Sequence, residues 1–461
     1  MKSRNPIQHD KGVYDMKKLS RLAVGSLAAV FMLSGCGKGA ADEQPSKGAA
    51  SGQAGSAPTI KLTLGDRLLE NSTDGSVIAR RQMIDEFKKE HPNIEIVEES
   101  LQDATYKTKI KTLAAGNDLP DVFELLGSDA QMFTDNKLIL PLDEIMEQNP
   151  EWKNGFIQST LNDFTVDGKL VGAPMQLLST SLIFYNKDIF DKVGISQFPS
   201  TWPEFMDAID ALKAGGYTPI ALGNKDKWVA ESCILSALGD RYTGTEWFNS
   251  LKTKQGAKFT DPLFVDALAA LQDLSKTGAF NKDMNSIDNG QQRALYYSGK
   301  AAMFFEGDWA ISSLSSEAPD EIKNNTGLAI LPSVDGGTGK ANVVSGGAAW
   351  AFAINANLEG DKLEAAIELV KKLTGVEEAN LAAENNAVAA TIPTDYDKSK
   401  VAPLFNEYLE MFEDLELSPI YDAQLSPAVI ETMNNGLQDL LIHGTTPEQL
   451  AKDIQKSYEG Q

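Results

Sequence analysis

Two residue types that commonly build active sites are almost missing from this chain of 461 residues. It has two cysteines, Cys36 and Cys233, and three histidines, His9, His91 and His443. A disulfide framework is therefore excluded, and a His-based zinc site or triad has too few residues to draw on. Cys233, inside Glu231-Ser232-Cys233-Ile234-Leu235, reads as a small buried hydrophobe. Positive charge is also short: 42 Lys and Arg against 65 Asp and Glu give a formal charge of -23. Residues 1–35 hold six Lys or Arg and two Asp, a surplus of +4, so the remainder carries -27. A body that acidic repels phosphate backbones and anionic lipid, which sets nucleic acid aside as a partner. No Gly-rich segment ends in Gly-Lys-Ser/Thr, no Gly-x-Ser-x-Gly elbow occurs, and His-Glu-x-x-His is absent. A glycosidase pair of carboxylates remains formally open, but nothing local singles one out. The expectation is a binding protein rather than an enzyme, with no cofactor and no metal. The polar loop with Asn281, Asp283, Asn285 and Asp288 reads as solvated.

What is present begins with an address. Lys17, Lys18 and Arg21 precede an apolar run of twelve, residues 22–33, which is too short to span a bilayer. It ends in Leu33-Ser34-Gly35-Cys36, which resembles the bacterial lipobox. Residues 1–35 thus read as a lipoprotein signal peptide, with Met16 as an alternative start. Cys36 reads as the lipidated new N-terminus, an anchor on the extracytoplasmic face of the cell membrane and not a span. Residues 36–58, rich in Gly, Ala and Ser, form a flexible tether of about 25 Å reach.

From residue 59 strand and helix patterns alternate. Ile60-Lys61-Leu62-Thr63-Leu64 has period two. Ala79, Met83, Ile84 and Phe87 share a helical face, Ile94, Ile96 and Val97 suggest a second strand, and Tyr106, Ile110 and Leu113 a second helix ended by Gly116 in a left-handed cap. Asp121-Val122-Phe123-Glu124-Leu125 gives a third strand. This order predicts an α/β fold with a mainly parallel sheet. A second unit begins at Leu182-Ile183-Phe184-Tyr185, followed by a capping box at Thr201 and Glu204. Residues 327–332 and 349–354 read as strands joined by a Gly-rich loop, and the tail from Leu363 as mostly helical.

Several stretches in fixed order carry a resemblance. They are Asn117-Asp118-Leu119-Pro120-Asp121-Val122, Gly168-Lys169-Leu170-Val171-Gly172-Ala173-Pro174 with Leu182 to Asp188, and Thr201-Trp202-Pro203-Glu204-Phe205. Gly299-Lys300-Ala301-Ala302-Met303 with Gly307-Asp308-Trp309-Ala310, and Gly346-Gly347 with Trp350-Ala351-Phe352, follow. Behind a lipobox and tether, this resembles the sugar-binding lipoproteins of bacterial ABC importers, extracellular solute-binding protein family 1, in the maltose-binding-protein-like group. The resemblance implies a periplasmic-binding-protein-like fold of two α/β lobes, joined by three crossovers, with ligand in the cleft between them. It places the lobes at residues 59–178 with 330–354 and at 179–329 with 355–461, and the crossovers near 177–181, 329–331 and 353–357. It implies capture of a carbohydrate, of oligosaccharide size, by a monomer that delivers it to membrane permease subunits. A same-fold receptor for another solute, a ligand-presenting partner of a sensor, and a surface glycosidase are the alternatives.

A cleft for neutral sugar needs aromatic plates and hydrogen-bonding side chains on loops after strand ends. Asp66 and Arg67 follow the first strand; Glu124, Ser128 and Asp129 lie at the end of the third, with Leu125 or Leu126 where the family carries an aromatic. Gln176 and Ser179 border the first crossover. Trp228 follows a polar loop, Trp309 follows Asp308, and Gly346 and Gly347 allow close backbone approach. Trp350 and Tyr185 read as core, and Trp202 as structural.

Overall fold

The structure is a computed structural model that describes residues 59–460; the readings on the signal peptide, Cys36 and the tether fall outside the described residues. Period-two alternation in β1 (Ile60–Asp66) turns Leu62 and Leu64 inward. β2 (Ile94–Ser100) and β3 (Val122–Leu126) flank β1 in parallel. β13 (Trp350–Ile354) and β6 (Ala173–Pro174) complete a sheet in the order β2-β1-β3-β13-β6. β3 and β13 are buried at every position, the pattern of central strands with both faces covered. Helix Gly75–Glu90 contributes Met83, Ile84 and Phe87 to this core. The turn between helix Asp103–Ala115 and β3 differs in detail from expectation. Gly116 is right-handed, and Asn117, with φ 52°, takes the left-handed position.

A second sheet has the order β11 (Thr326–Ile330), β8 (Leu182–Asn186), β10 (Ala301–Glu306), β9 (Thr218–Ala221). β10 is antiparallel to β8 and parallel to β9. The capping box of Thr201 and Glu204 starts helix Trp202–Ala214, whose Phe205, Ile209 and Leu212 enter the second core. Cys233 is buried there as well. The molecule is therefore two α/β lobes. A small hairpin, β4 (Thr165–Val166) with β5 (Lys169–Leu170), precedes the first crossing. A third sheet joins β14 (Glu416–Ser418), β12 (Val343–Gly347) and β7 (Leu178–Ser179), of which β7 and β12 belong to the first two crossings and β14 to the tail.

Two expected boundaries move. Residues 331–342 stay with the second lobe: Leu331 is in its core, and the Arg241 guanidinium donates to the carbonyls of Leu331 and Ala341 at 3.0 Å each. The second crossing is β12, a strand where the sequence suggested a Gly-rich loop. The tail returns later than residues 353–357. Helix Gly360–Thr374 buries Ala366, Leu369, Val370 and Leu373 in the first core, and Ala379 and Ala382 of helix Val376–Glu384 pack with Ala79. Helix Gly360–Thr374 lays its apolar stripe on β1 and helix Val376–Glu384 packs on helix Gly75–Glu90, so burial holds both on the first lobe. The chain leaves it between Thr391, paired with Phe156, and Leu404 in the second lobe. Replacing Leu369, 0% exposed, by Ala should lower unfolding free energy by about 2–5 kcal/mol in a urea titration. An unchanged midpoint would contradict this placement.

Candidate ligand cleft

A cleft of ≈ 530 Å³ lies between the lobes. Loops at the carboxyl ends of β1, β2 and β3 form one wall, with Arg67, Asp103 and Glu124. The opposite wall carries Trp228, Asn289, Arg293 and Trp309; Gln176 and Thr180 of the first crossing close the base.

Arg67 is fixed on three sides. Its Nε donates to Glu124 Oε2 at 2.6 Å, its NH1 donates to Asp103 Oδ1 at 3.1 Å, and its guanidinium lies 3.5 Å from the Trp350 ring centroid. Trp350 is 7% exposed and lines the cleft, which amends its reading as plain core. One face of the indole is covered by Arg67, so it serves as a pedestal for a donor. Lys107, 2.9 Å from Asp103, extends the network.

On the second lobe, Trp228 and Trp309 stand with ring centroids 5.9 Å apart and planes at 54°, an aromatic corner. Trp309 Nε1 donates to Glu306 Oε1 at 2.8 Å. A Cβ on Gly307 would come within 2.0 Å of Trp309 Cζ3, so only glycine lets the ring fold back onto the chain there. The loop before Trp228 is held by the segment that read as solvated. Asn224 Nδ2 donates to Asn285 Oδ1 at 3.2 Å, and Leu222 N–H donates to Asn281 Oδ1 at 2.7 Å. Asn281 is buried, and the polar segment is thus a staple for the Trp228 loop.

Arg67, Glu124, Gln176, Trp228 and Trp309 all line the cleft. The other expected residues do not. Asp66 is fully buried, and its Oδ1 accepts the Leu68 N–H at 2.9 Å in a turn. Burial, with Glu124 nearby, pushes its pKa up to about 6. Asp129 is buried and pairs with Lys111 at 3.2 Å; Ser128 sits half-buried beside it in the first turn of helix Gly127–Asp135. Ser179 is buried, with its Oγ 3.0 Å from the Tyr408 hydroxyl. Asp308 is buried outside the cleft lining, and its Oδ1 accepts the Ser179 N–H at 2.8 Å. Burial pushes its pKa up to about 7. Gly346 and Gly347 belong to β12 and pair with Ser179 and Leu178. A Cβ on Gly346 would come within 2.6 Å of Leu178 O. The close approach is to the protein's own backbone.

Sequence reasoning missed Trp350, Asp103, Arg293 and Glu306. A signal existed for Arg293: the Asp288–Gln291 capping box starts helix Asn289–Tyr297 and puts its first turn at the cleft. Of the five cations that line the cleft, four have a carboxylate within 4 Å, and Lys225 has no ion pair among the described residues. Arg67 has Glu124 and Asp103, Lys107 has Asp103, Arg80 has Glu378 at 3.3 Å, and Arg293 has Glu306 at 3.0 Å.

Residues 74–380 match the family model described as bacterial extracellular solute-binding protein. A multiple sugar-binding protein of Streptococcus mutans is 24% identical over 305 residues, 64% of this chain and 67% of that protein. The sn-glycerol-3-phosphate-binding periplasmic protein UgpB of Brucella abortus is 30% identical over 194 residues, but only 41% of this chain and 42% of UgpB are spanned. A chitin oligosaccharide binding protein superposes with TM-score 0.80 and 27% identity, covering 87% of this chain and 98% of that one. A structure from work on xylan utilization by Caldanaerobius polysaccharolyticus gives TM-score 0.77 and 28% identity, over 86% and 99% of the two chains.

The buried Asp308 carries a pH signature. Its folded pKa of about 7 exceeds the ordinary value of about 3.9, so the folded state holds a proton that the unfolded state releases. The resulting stability is complete below about pH 4 and is lost as pH rises through 7. Urea unfolding at pH 5 and pH 8 should show a smaller difference for Asp308→Asn than for the wild type. The limit for one group is about 1.4 kcal/mol per pH unit. Equal differences would show that Asp308 is charged throughout.

Proposed function

The chain belongs to the bacterial extracellular solute-binding protein family, and we propose that its cleft captures a neutral carbohydrate of oligosaccharide size. The reading rests on one observation above all: an aromatic corner, Trp228 with Trp309, faces a wall of donors whose charges are already neutralised. Stacking plates take the apolar faces of sugar rings, while fixed guanidinium and amide groups take their oxygens. The space of ≈ 530 Å³ falls inside the ~300–1,000 Å³ range of small-molecule pockets.

Glycerol phosphate, the ligand named for the UgpB proteins, fits less well. A phosphate dianion needs uncompensated cations. Arg67, Arg80, Lys107 and Arg293 all sit within 4 Å of a carboxylate, which leaves Lys225 as the one lining cation without an ion pair among the described residues. A glycosidase is disfavoured by membership of a family of binding proteins.

Capture proceeds by closure of the lobes about the crossing segments, and ligand shifts the open–closed balance by its preference for the closed form. Lipid on Cys36 and the tether of residues 36–58 would hold a monomeric body at the outer face of the membrane. From there it would hand ligand to the permease subunits of an importer. Presentation to a membrane sensor uses the same steps, and permease genes beside this one would favour import.

Titration of the protein with malto-, xylo- and chito-oligosaccharides and with glycerol 3-phosphate, read by Trp fluorescence, tests the reading. At least one neutral oligosaccharide should saturate and glycerol 3-phosphate should not; the reverse result sinks it. Trp309→Ala should weaken the sugar by about tenfold or more, the equivalent of ~1.4 kcal/mol, with thermal unfolding little changed. Failure of that variant to fold would make Trp309 a packing residue.

A further inference from the structure

Two guanidinium groups face the cleft from opposite lobes, and their surroundings match. On the first lobe Arg67 Nε donates to Glu124 at 2.6 Å beside Trp350. On the second, Arg293 NH1 donates to Glu306 Oε1 at 3.0 Å, and the same oxygen accepts the Trp309 indole N–H at 2.8 Å. Both glutamate side chains are 0% exposed. Both also project from strands, Glu124 from β3 and Glu306 from the end of β10, so backbone pairing holds them more rigidly than a loop would. Asn289 Nδ2 donates to Glu306 Oε1 at 3.1 Å, and Gln292 Nε2 donates to Oε2 at 3.3 Å, completing the shell.

Arg293 is not saturated by this shell. Its Nε is buried without a hydrogen-bond partner, and the side chain lines the cleft. A buried donor left unpaired is costly, and one at a binding cleft calls for an acceptor brought by the ligand. Because Glu306 already offsets the guanidinium charge, a neutral oxygen satisfies that donor without the penalty of burying a second anion. The Trp309 indole N–H and Arg293 NH1 share one carboxylate oxygen, so ring and donor keep a fixed spacing. A sugar ring lying on Trp309 would present its rim oxygens toward the guanidinium.

We propose that Arg293 contacts the ligand and that Glu306 is its positioning residue, locking Trp309 and Arg293 into one recognition unit that reads a neutral sugar oxygen opposite the Arg67–Glu124 unit. The proposal rests on the carbohydrate reading above. Specificity would then come from two charge-compensated donors, one on each lobe, which a single ligand engages together only when the cleft is closed around it.

The test uses the mature protein with maltotriose, xylotriose and triacetylchitotriose as probes, taking whichever binds the wild type tightest. Arg293→Gln and Glu306→Gln should each weaken it by about tenfold or more. The double variant should lose little beyond the worse single one, since the two residues act as a unit. Arg67→Gln combined with Arg293→Gln should instead lose the product of the single effects. The indole N–H resonance of Trp309, assigned with Trp309→Phe, should shift in Glu306→Gln and exchange faster with water, with or without sugar. Arg293→Gln binding within about twofold of wild type, or an unmoved indole resonance, overturns the proposal. Should Glu306→Gln fail to fold, Arg293→Gln still decides, because it leaves the carboxylate in place. If no probe binds the wild type, the carbohydrate reading and the ligand contact fall together, while the indole resonance still decides whether Glu306 positions Trp309.

Discussion

The crossing strand and the second lobe are joined by a reciprocal pair of hydrogen bonds. Ser179 N–H donates to Asp308 Oδ1 at 2.8 Å, and Asp308 N–H donates to the Ser179 carbonyl at 3.0 Å. β7, which contains Ser179, also pairs with β12, so the first two crossing segments are gathered at this point, with β14 of the tail on the other side of β12. The next residue after the aspartate is Trp309. The clasp that sets how the chain passes between lobes therefore also sets where the aromatic plate stands. A carboxyl held under burial strong enough to push its pKa to about 7 is an expensive way to tie two segments, and its backbone partner makes the tie directional.

The second constraint is charge. A body with a large negative surplus presents a cleft in which every lining cation but Lys225 is matched by a buried or half-buried carboxylate among the described residues. Such pairs contribute little to stability after desolvation is counted. Their consequence is geometric: Arg67 is gripped by Glu124, Asp103 and Trp350, and Arg293 by Glu306, so the donors are pre-organised before any ligand arrives. A neutral, hydroxyl-rich ligand can use such donors without upsetting the balance, whereas a free anion would compete with glutamates already in place.

Among the expected residues that line the cleft, the three largest share a simple property. Arg67 follows a strand end, while Trp228 and Trp309 follow loops or strand breaks, and all three are large side chains where the chain must turn at an open sheet edge. Asp66, Ser179 and Asp308 occupy equally suggestive positions, yet each turns inward to satisfy a backbone group or a neighbouring hydroxyl. Linear position does not say which way a short polar side chain points when a buried N–H lies within reach. Gly346 and Gly347 carry the same lesson: closeness was legible, but not to what.

Local periodicity and caps were enough to determine the α/β alternation, and composition the scarcity of His and Cys, because these depend on residues near one another in sequence; the likeness to binding proteins came from motifs recurring in a fixed order. Where the chain recrosses was decided only in three dimensions. Helix Gly360–Thr374 packs on β1 nearly three hundred residues away, and no short-range pattern records which of two open faces its apolar stripe will cover. The same holds for the second wall of the cleft. Sequence could offer Trp309 as a plate, but Glu306 turning its carboxylate to both Trp309 and Arg293 required β10 to be paired between β8 and β9 and helix Asn289–Tyr297 to lie against it. A hydrogen bond forms between neighbours in space, and only the packed sheet made these residues neighbours.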